Sequence, residues 1–163
     1  MSSFEARIDR ICTTYADAPR ELILASRLLL RTSRLLRAHI ERALAPFGLD
    51  LSQYLVISML AADAGEPTMP SELGVAIDAT RTQMTRLVDG LETRGLVQRH
   101  ASTQDRRSLD LVLTPAGRRL LEQAMPAVHA AYGEAWEPLG SGGLDKATRA
   151  LARLHANLEA LEP

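Results

Sequence analysis

Thr80 to Gly95, which reads TRTQMTRLVDGLETRG, is the stretch on which the fold of this chain turns. At about 3.6 residues per turn, Met84, Leu87, Val88 and Leu91 fall on one face of a helix, and Thr82, Thr85, Arg86 and Asp89 gather on the other. Thr80 and Gln83 have the spacing of a capping box, in which each side chain reaches the other residue's backbone N–H. Gly95 suits the left-handed position just past a helix end. Taken alone, such a helix serves a bundle as well as it serves a core on one side and a partner on the other. The flanking sequence decides between the two.

Downstream, the period changes from 3.6 to 2. Leu96 to His100 forms one candidate strand and Leu109 to Leu113 another, with Leu109, Leu111 and Leu113 on one face. Between them Ala101 to Arg107, ASTQDRR, makes a polar tip with two adjacent arginines, a wing. Upstream, Pro70 at a first helical position and Glu72 near the positive end start a short helix to about Ile77, and a brief turn leads into Thr80. Short helix, turn, capped helix and hairpin together spell a winged helix-turn-helix, a pattern more specific than any of its parts. The expected fold is therefore mainly α with a small β-hairpin wing (α+β). Its use is either DNA reading or protein interaction.

The rest of the chain supplies long helices. Phe4, Ile8 and Ile11 mark a short helix before Pro19, which suits a first helical turn. Arg20 to about Leu44 is a long helical pattern with apolar residues on more than one stripe, as expected when a helix touches its own domain and a second chain; Pro46 and Gly48 end it. Ser52 is positioned to cap a mostly apolar helix over Gln53 to Ala62. Thr114-Pro115 begins another helix that Pro126 should kink or break, and Gly140-Ser141-Gly142-Gly143 reads as a loop. Leu151, Leu154, Leu158 and Leu161 then form a heptad-like seam. These readings divide the chain into an N-terminal arm and long helix (1–49), a winged helix-turn-helix (50–114) and C-terminal helices (115–163). The first and last would pair two copies into a homodimer.

Composition narrows the function classes. The 163 residues are 46% hydrophobic, enough for a real core. No segment approaches the roughly 20 apolar residues of a membrane span. One cysteine, Cys12, excludes an internal disulfide, and the charged opening MSSFEARIDR is no signal peptide, so a cytoplasmic location without a membrane role is expected. Net charge is −1, so affinity for nucleic acid would rest on placed arginines, doubled in a dimer, and not on a general positive field. His39, His100, His129 and His155 are scattered, with no HExxH, CxxC or phosphate-cradling glycine loop, which argues against an enzyme, a metal site or a cofactor.

Three strings, Leu91-Glu92-Thr93-Arg94-Gly95-Leu96-Val97-Gln98-Arg99, then Asp105-Arg106-Arg107, then Leu113-Thr114 with Gly117, resemble the MarR family of winged-helix transcriptional regulators. The resemblance spans about Arg20 to Leu161. Arg81-Thr82 with Thr85-Arg86, and Leu120 to Trp136 with Pro126 and His129, look most like the EmrR-type branch, which represses multidrug-efflux operons. The resemblance implies a homodimer on a pseudo-palindromic double-stranded operator, with half-sites about 34 Å apart. Thr82, Gln83, Thr85 and Arg86 would then face the major groove, Arg86 on guanine O6/N7, with Arg81 on a phosphate. Arg106 or Arg107 would enter the minor groove, oriented by Asp105; a solvated charged turn is the alternative for that tip.

Regulators of this kind respond to small amphipathic aromatic or phenolic effectors. Ser26, Ser33 and Arg37 recur on the first long helix beside Leu30, with Tyr54 nearby, and could line such a pocket; alternatively the serines bond back to the preceding turn and the arginine is solvated. Ser26 stands where peroxide-sensing relatives place a cysteine, and Cys12 lies far upstream, so a redox switch is not expected. The functional expectation is a repressor of an efflux or detoxification operon, with a catabolic-operon regulator of the same family as the alternative.

Overall fold

The computed structural model describes residues 3–15, 17–63, 68–101 and 109–161. Helix α1 (Ser3–Thr14) lies on α2 (Arg20–Leu44) through Ile8, which is buried, through the Asp9–Arg20 ion pair at 2.7 Å, and through Arg31 over the Phe4 ring at 6.0 Å. Pro19 occupies the N-cap of α2, one position before the first turn expected for it. A 3-10 turn, Ala45–Phe47, and Gly48 in the left-handed region end α2 where expected.

Helix α3 (Leu51–Ala62) starts earlier than the Ser52 cap predicts. The Asp50 carboxylate accepts from the Gln53 N–H at 2.8 Å, and the Gln53 side chain accepts from the Asp50 N–H at 3.2 Å. Aspartate at N-cap with glutamine at N3 satisfies two orphan donors at once, which a serine two positions later cannot do. Helix α4 (Pro70–Ala76) carries its proline at the first position, and Glu72 accepts from the Met69 N–H at 3.3 Å. Helix α5 (Arg81–Thr93) is the segment quoted at the outset.

Strands β1 (Val97–Ala101) and β2 (Leu109–Leu113) pair antiparallel, Val97 opposite Leu113 and Ala101 opposite Leu109. Thr68, before α4, adds a two-bond bridge to Leu111 on the other side of β2, at 2.9 and 3.3 Å, so the hairpin is stitched to the helix-turn-helix from both ends. The expected alternation in β2 holds only in part. Leu111 is buried and Leu113 half-buried, but Leu109 is exposed and Asp110 is buried, because Leu109 lies at the far end of the strand from the helical core.

Helix α6 (Pro115–Trp136) runs through Pro126 without the expected break. Leu121, Ala124, Val128 and Ala131 keep a 3-4-3 spacing in the core, while Pro126 is on the exposed side, where water can take the carbonyl its ring leaves unpaired. The Gly140-Ser141-Gly142-Gly143 loop is also absent: these residues are the first turn of α7 (Gly140–Glu159). Gly140 alone makes the turn, at φ 59°, after a 3-10 segment Glu137–Leu139.

One core joins these elements: Ile40 and Leu44 of α2, Tyr54, Val56, Ile57 and Leu60 of α3, Leu73 of α4, Met84, Val88 and Leu91 of α5, and the inner face of α6. Two surfaces stand outside it. Helix α7 buries no residue, with Leu144, Leu151, Leu154 and Leu158 all exposed, and the N-terminal half of α2 leaves Leu22 and Leu30 at 69% and 72% exposure. No single helix among the described residues is long and apolar enough to cross a membrane.

Candidate nucleic-acid interface

The helix-turn-helix closes through its backbone. Ala79 N–H donates to the Gly74 carbonyl at 2.9 Å, and Asp78 takes φ 53°, a left-handed conformation that aspartate tolerates better than most residues. Thr80 then caps α5: its hydroxyl accepts from the Gln83 N–H at 3.3 Å, and Gln83 Oε1 accepts from the Thr80 N–H at 2.8 Å and from its hydroxyl at 2.9 Å. At the other end Gly95 N–H donates to Glu92 O and Leu96 N–H to Leu91 O, at 2.8 and 3.0 Å, with Gly95 at φ 68°. This is a Schellman ending. Met84, Val88 and Leu91 are buried.

With the inner face fixed, the outer one is set. Arg81, Thr82, Gln83, Thr85, Arg86 and Asp89 are all exposed. Among the described residues neither the Arg81 nor the Arg86 guanidinium has an ion-pair or hydrogen-bond partner, so both are free to meet an acceptor. The Thr85 hydroxyl donates to the Arg81 carbonyl at 2.9 Å, which leaves its methyl and lone pairs facing out. Gln83 is the exception in this set: its carbonyl oxygen is committed to the cap, and only its NH2 remains for a partner. Asp105, Arg106 and Arg107 lie outside the described residues.

Sequence reasoning missed the residue that organises the charge of this surface. Arg99 of β1 forks across to α5, donating to Asp89 at 2.5 Å and to Glu92 at 2.6 Å. The fork ties the hairpin to the recognition helix and neutralises the acids that an approaching phosphate would otherwise meet. The signal was present as two carboxylates three residues apart on a helix facing a strand arginine, but which arginine reaches them depends on the hairpin's position.

Two hollows flank α5. One of about 470 Å³ lies between α2 and the helix-turn-helix and is lined by Arg37, Asp50, Gln53, Asp78, Gln83 and Arg86 among others. The other, about 1110 Å³, lies between α4, α5 and β2, with Val75, Met84, Val88, Arg99 and Leu109 in its walls. Of the four residues expected to line an effector pocket, only Arg37 lines either hollow; it also pairs with Glu41 at 3.2 Å. Ser26 and Ser33 are exposed on α2. Tyr54 is 6% exposed, and burial pushes its phenol above the ordinary tyrosine range, so it is a neutral core residue. The structure does not bring these four together within one chain. Among the described residues no group of three or more His, Cys, Asp or Glu side chains is placed to hold a metal ion.

A MarR family model matches residues 47–108, from the turn that follows α2 through β1 and up to the start of β2. The transcriptional repressor MprA of Escherichia coli K12 is 29% identical over 148 residues, 91% of this chain and 84% of that protein. The HTH-type transcriptional repressor Rv2887 of Mycobacterium tuberculosis is 36% identical over 104 residues, covering 64% of this chain and 73% of the relative. Among solved structures, CouR from Rhodococcus jostii RHA1 bound to p-coumaroyl-CoA superposes with a TM-score of 0.68 at 31% identity, over 78% of this chain and 88% of that one. The capped helix with free arginines outward, the stitched hairpin beside it and these likenesses converge: the chain belongs to the MarR family of DNA-binding transcriptional regulators, which are not enzymes.

Proposed function

We propose that the chain is a homodimeric repressor that reads a pseudo-palindromic operator through α5 and is released from it by a small amphipathic aromatic effector. The observation that carries this reading is the outer face of α5, where Arg81 and Arg86 are unpaired among the described residues while the neighbouring acids are covered by Arg99. In this reading Arg86 donates two bonds to a guanine edge, Thr82 and Thr85 meet thymine methyls or phosphates, and Arg81 and the Gln83 NH2 meet the backbone. The wing arginines, Arg106 or Arg107 held by Asp105, take the flanking minor groove.

Dimerisation is supported by the leucines that α2 and α7 leave exposed. Burying each one fully is worth about 1.5–3 kcal/mol, and an apolar surface of this extent marks an interface. The division into dimerisation segments (1–49 and 115–163) and a DNA-reading unit (50–114) belongs to the same reading. For the effector, the hollow of about 470 Å³ is within the size range of small-molecule sites, and Arg86 gives it a cation for a carboxylate or phenolate, beside Arg37, which pairs with Glu41, and the lining acids Asp50 and Asp78. That CouR was solved with p-coumaroyl-CoA supports an aromatic ligand, and that MprA is a repressor supports repression; an efflux or detoxification operon rests on the EmrR-type resemblance of the sequence. Release follows from the effector's higher affinity for a dimer whose helix spacing does not fit the operator.

The test is a titration of labelled duplex, chosen by selection from random sequence, at two salt concentrations. The expected results are steep salt dependence and a loss of about 10-fold or more for Arg86→Ala, with phenolic compounds weakening wild-type binding. Binding indifferent to salt and to Arg86 would instead leave a protein-interaction module.

A further inference from the structure

A side-chain fork joins the C-terminal end of the recognition helix to the turn that ends the dimerisation helix. Arg94, the C-cap of α5, donates from Nη1 to the Gly48 carbonyl at 2.7 Å and from Nη2 to the Phe47 carbonyl at 3.2 Å. Those carbonyls belong to the 3-10 turn and left-handed glycine that end α2. Carbonyls at such an end lack helical partners and carry its negative dipole, so a guanidinium fork suits them. Gly48 holds this end at a φ of 63° that glycine takes most easily; an added side-chain carbon would make only an ordinary 3.6 Å contact with Arg94 Nη2.

The rest of α5 packs elsewhere. Its main partners are α4, β1 and α3, and the space between α2 and its middle is the hollow lined by Arg37 and Arg86. Arg86 and Arg94 are separated by two turns, about 12 Å along the helix. Helix α5 is therefore anchored to the end of α2 at its C-terminus and held off α2 by an open cavity nearer its start.

From this geometry we infer that Arg94 is a positioning residue: it sets the direction of α5 relative to the dimerisation helix, and thereby the half-site spacing that a dimer accepts. The inference rests on the proposed dimeric DNA reader and concerns the spacing between its two helices, a property separate from contact with the bases. In a two-fold dimer each recognition helix is located through its own α2, so play at this joint in each protomer blurs the distance between the two. Arg94 does not need to touch DNA for this. A ligand in the cavity would turn α5 about the same joint.

The experiment uses the full-length protein and the operator selected with wild type, together with operators carrying one base pair inserted or removed at the centre. Wild type should prefer the selected spacing strongly. Arg94→Ala should bind the selected operator about 10-fold more weakly, yet bind the altered operators within about 2-fold of wild type, so that its preference flattens. Arg94→Lys, which keeps the charge but only one of the two directed bonds, should fall between them. The dimer mass of both variants should match wild type, and the thermal unfolding midpoint should fall by no more than a few degrees, as suits an exposed side chain whose fork is lost while the core is kept. An unchanged spacing preference in Arg94→Ala, or an equal loss on all three operators, overturns the inference. Failure of wild type to select any duplex overturns the DNA reading beneath it instead.

Discussion

Replacing Gly117 and Gly133 by alanine, one at a time, makes the same chemical change within one helix and should move stability in opposite directions. Both glycines lie inside α6, where alanine is favoured over glycine by about 0.8–1 kcal/mol in a helix interior. Around Gly133 nothing would come within 4 Å of an added methyl carbon, so Gly133→Ala should realise most of that gain. At Gly117 the same carbon would stand 2.2 Å from the Leu96 carbonyl oxygen and 2.6 Å from a Leu113 methyl. The leucine can rotate, but the carbonyl is backbone and is held there: it accepts from the Thr114 N–H at 3.0 Å and from the Thr114 hydroxyl at 3.1 Å. Relief therefore requires α6 to move away from the start of β1, which loosens the Thr114 cap and the Gly117 N–H bond to it at 3.0 Å. Overpacking of this kind costs about 1–3 kcal/mol, and loss of the cap adds about 1 kcal/mol, so a net loss near 2 kcal/mol remains after the propensity gain. For a chain of this size each kcal/mol moves Tm by about 2–4 °C, which puts Gly117→Ala roughly 4–8 °C below wild type and Gly133→Ala about 2–3 °C above it. Urea unfolding at fixed protein concentration gives the free energies without reference to heat capacity. Stabilisation by both substitutions would refute the close approach of α6 to β1 that places the hairpin.

Asp78 offers a backbone test of the helix-turn-helix turn. Its left-handed φ of 53° costs a side chain about 1 kcal/mol, so stability in urea should rank glycine at or above aspartate and aspartate above alanine, by about 1 kcal/mol in the last step; alanine equal to aspartate would refute the turn geometry. Arg99→Met should uncover Asp89 and Glu92 and weaken operator binding several-fold at low salt, with a smaller loss at high salt. Adding Asp89→Asn to it should recover part of that affinity in a duplex titration, and no recovery would mean that Arg99 acts only by holding the hairpin.

What the sequence made legible was local. Caps at Thr80 and Thr114, the ends of α2 and the pairing of β1 with β2 each follow from a few neighbouring residues whose chemistry has one good solution. Two local signals compete at the start of α3: Ser52 is a good cap in isolation, but only the Asp50–Gln53 pair satisfies both donors, and it sets the boundary. Pro126 and the Gly140 to Gly143 run mark breaks by propensity, but tertiary packing carries α6 past the first and helical bonding takes in the second. The site's outer face was readable from helical period. Its supports were not: Arg94 reaches carbonyls 46 and 47 residues away, and Thr68 pairs with Leu111. A long flexible cation has many acceptors in a sequence and only one in a fold.

The near-neutral charge of the chain, −1 from 19 basic and 20 acidic residues, bears on how these arginines are divided. From α4 through β1 four arginines occur, Arg81, Arg86, Arg94 and Arg99, and the structure gives them two kinds of task. Arg94 and Arg99 are bound internally, one to α2 and one to the acids of α5. Of these four, Arg81 and Arg86 have no partner among the described residues. On α5 itself a pair of free cations is a weak electrostatic lure, since each phosphate neutralised contributes a salt slope of only about 0.9. In the proposed reading orientation supplies what bulk charge does not: affinity would accrue when both copies of α5 present Arg86 to the right bases at once, and the two internally bound arginines would hold that presentation in place. A more basic helix would bind duplex of any sequence and need neither clamp.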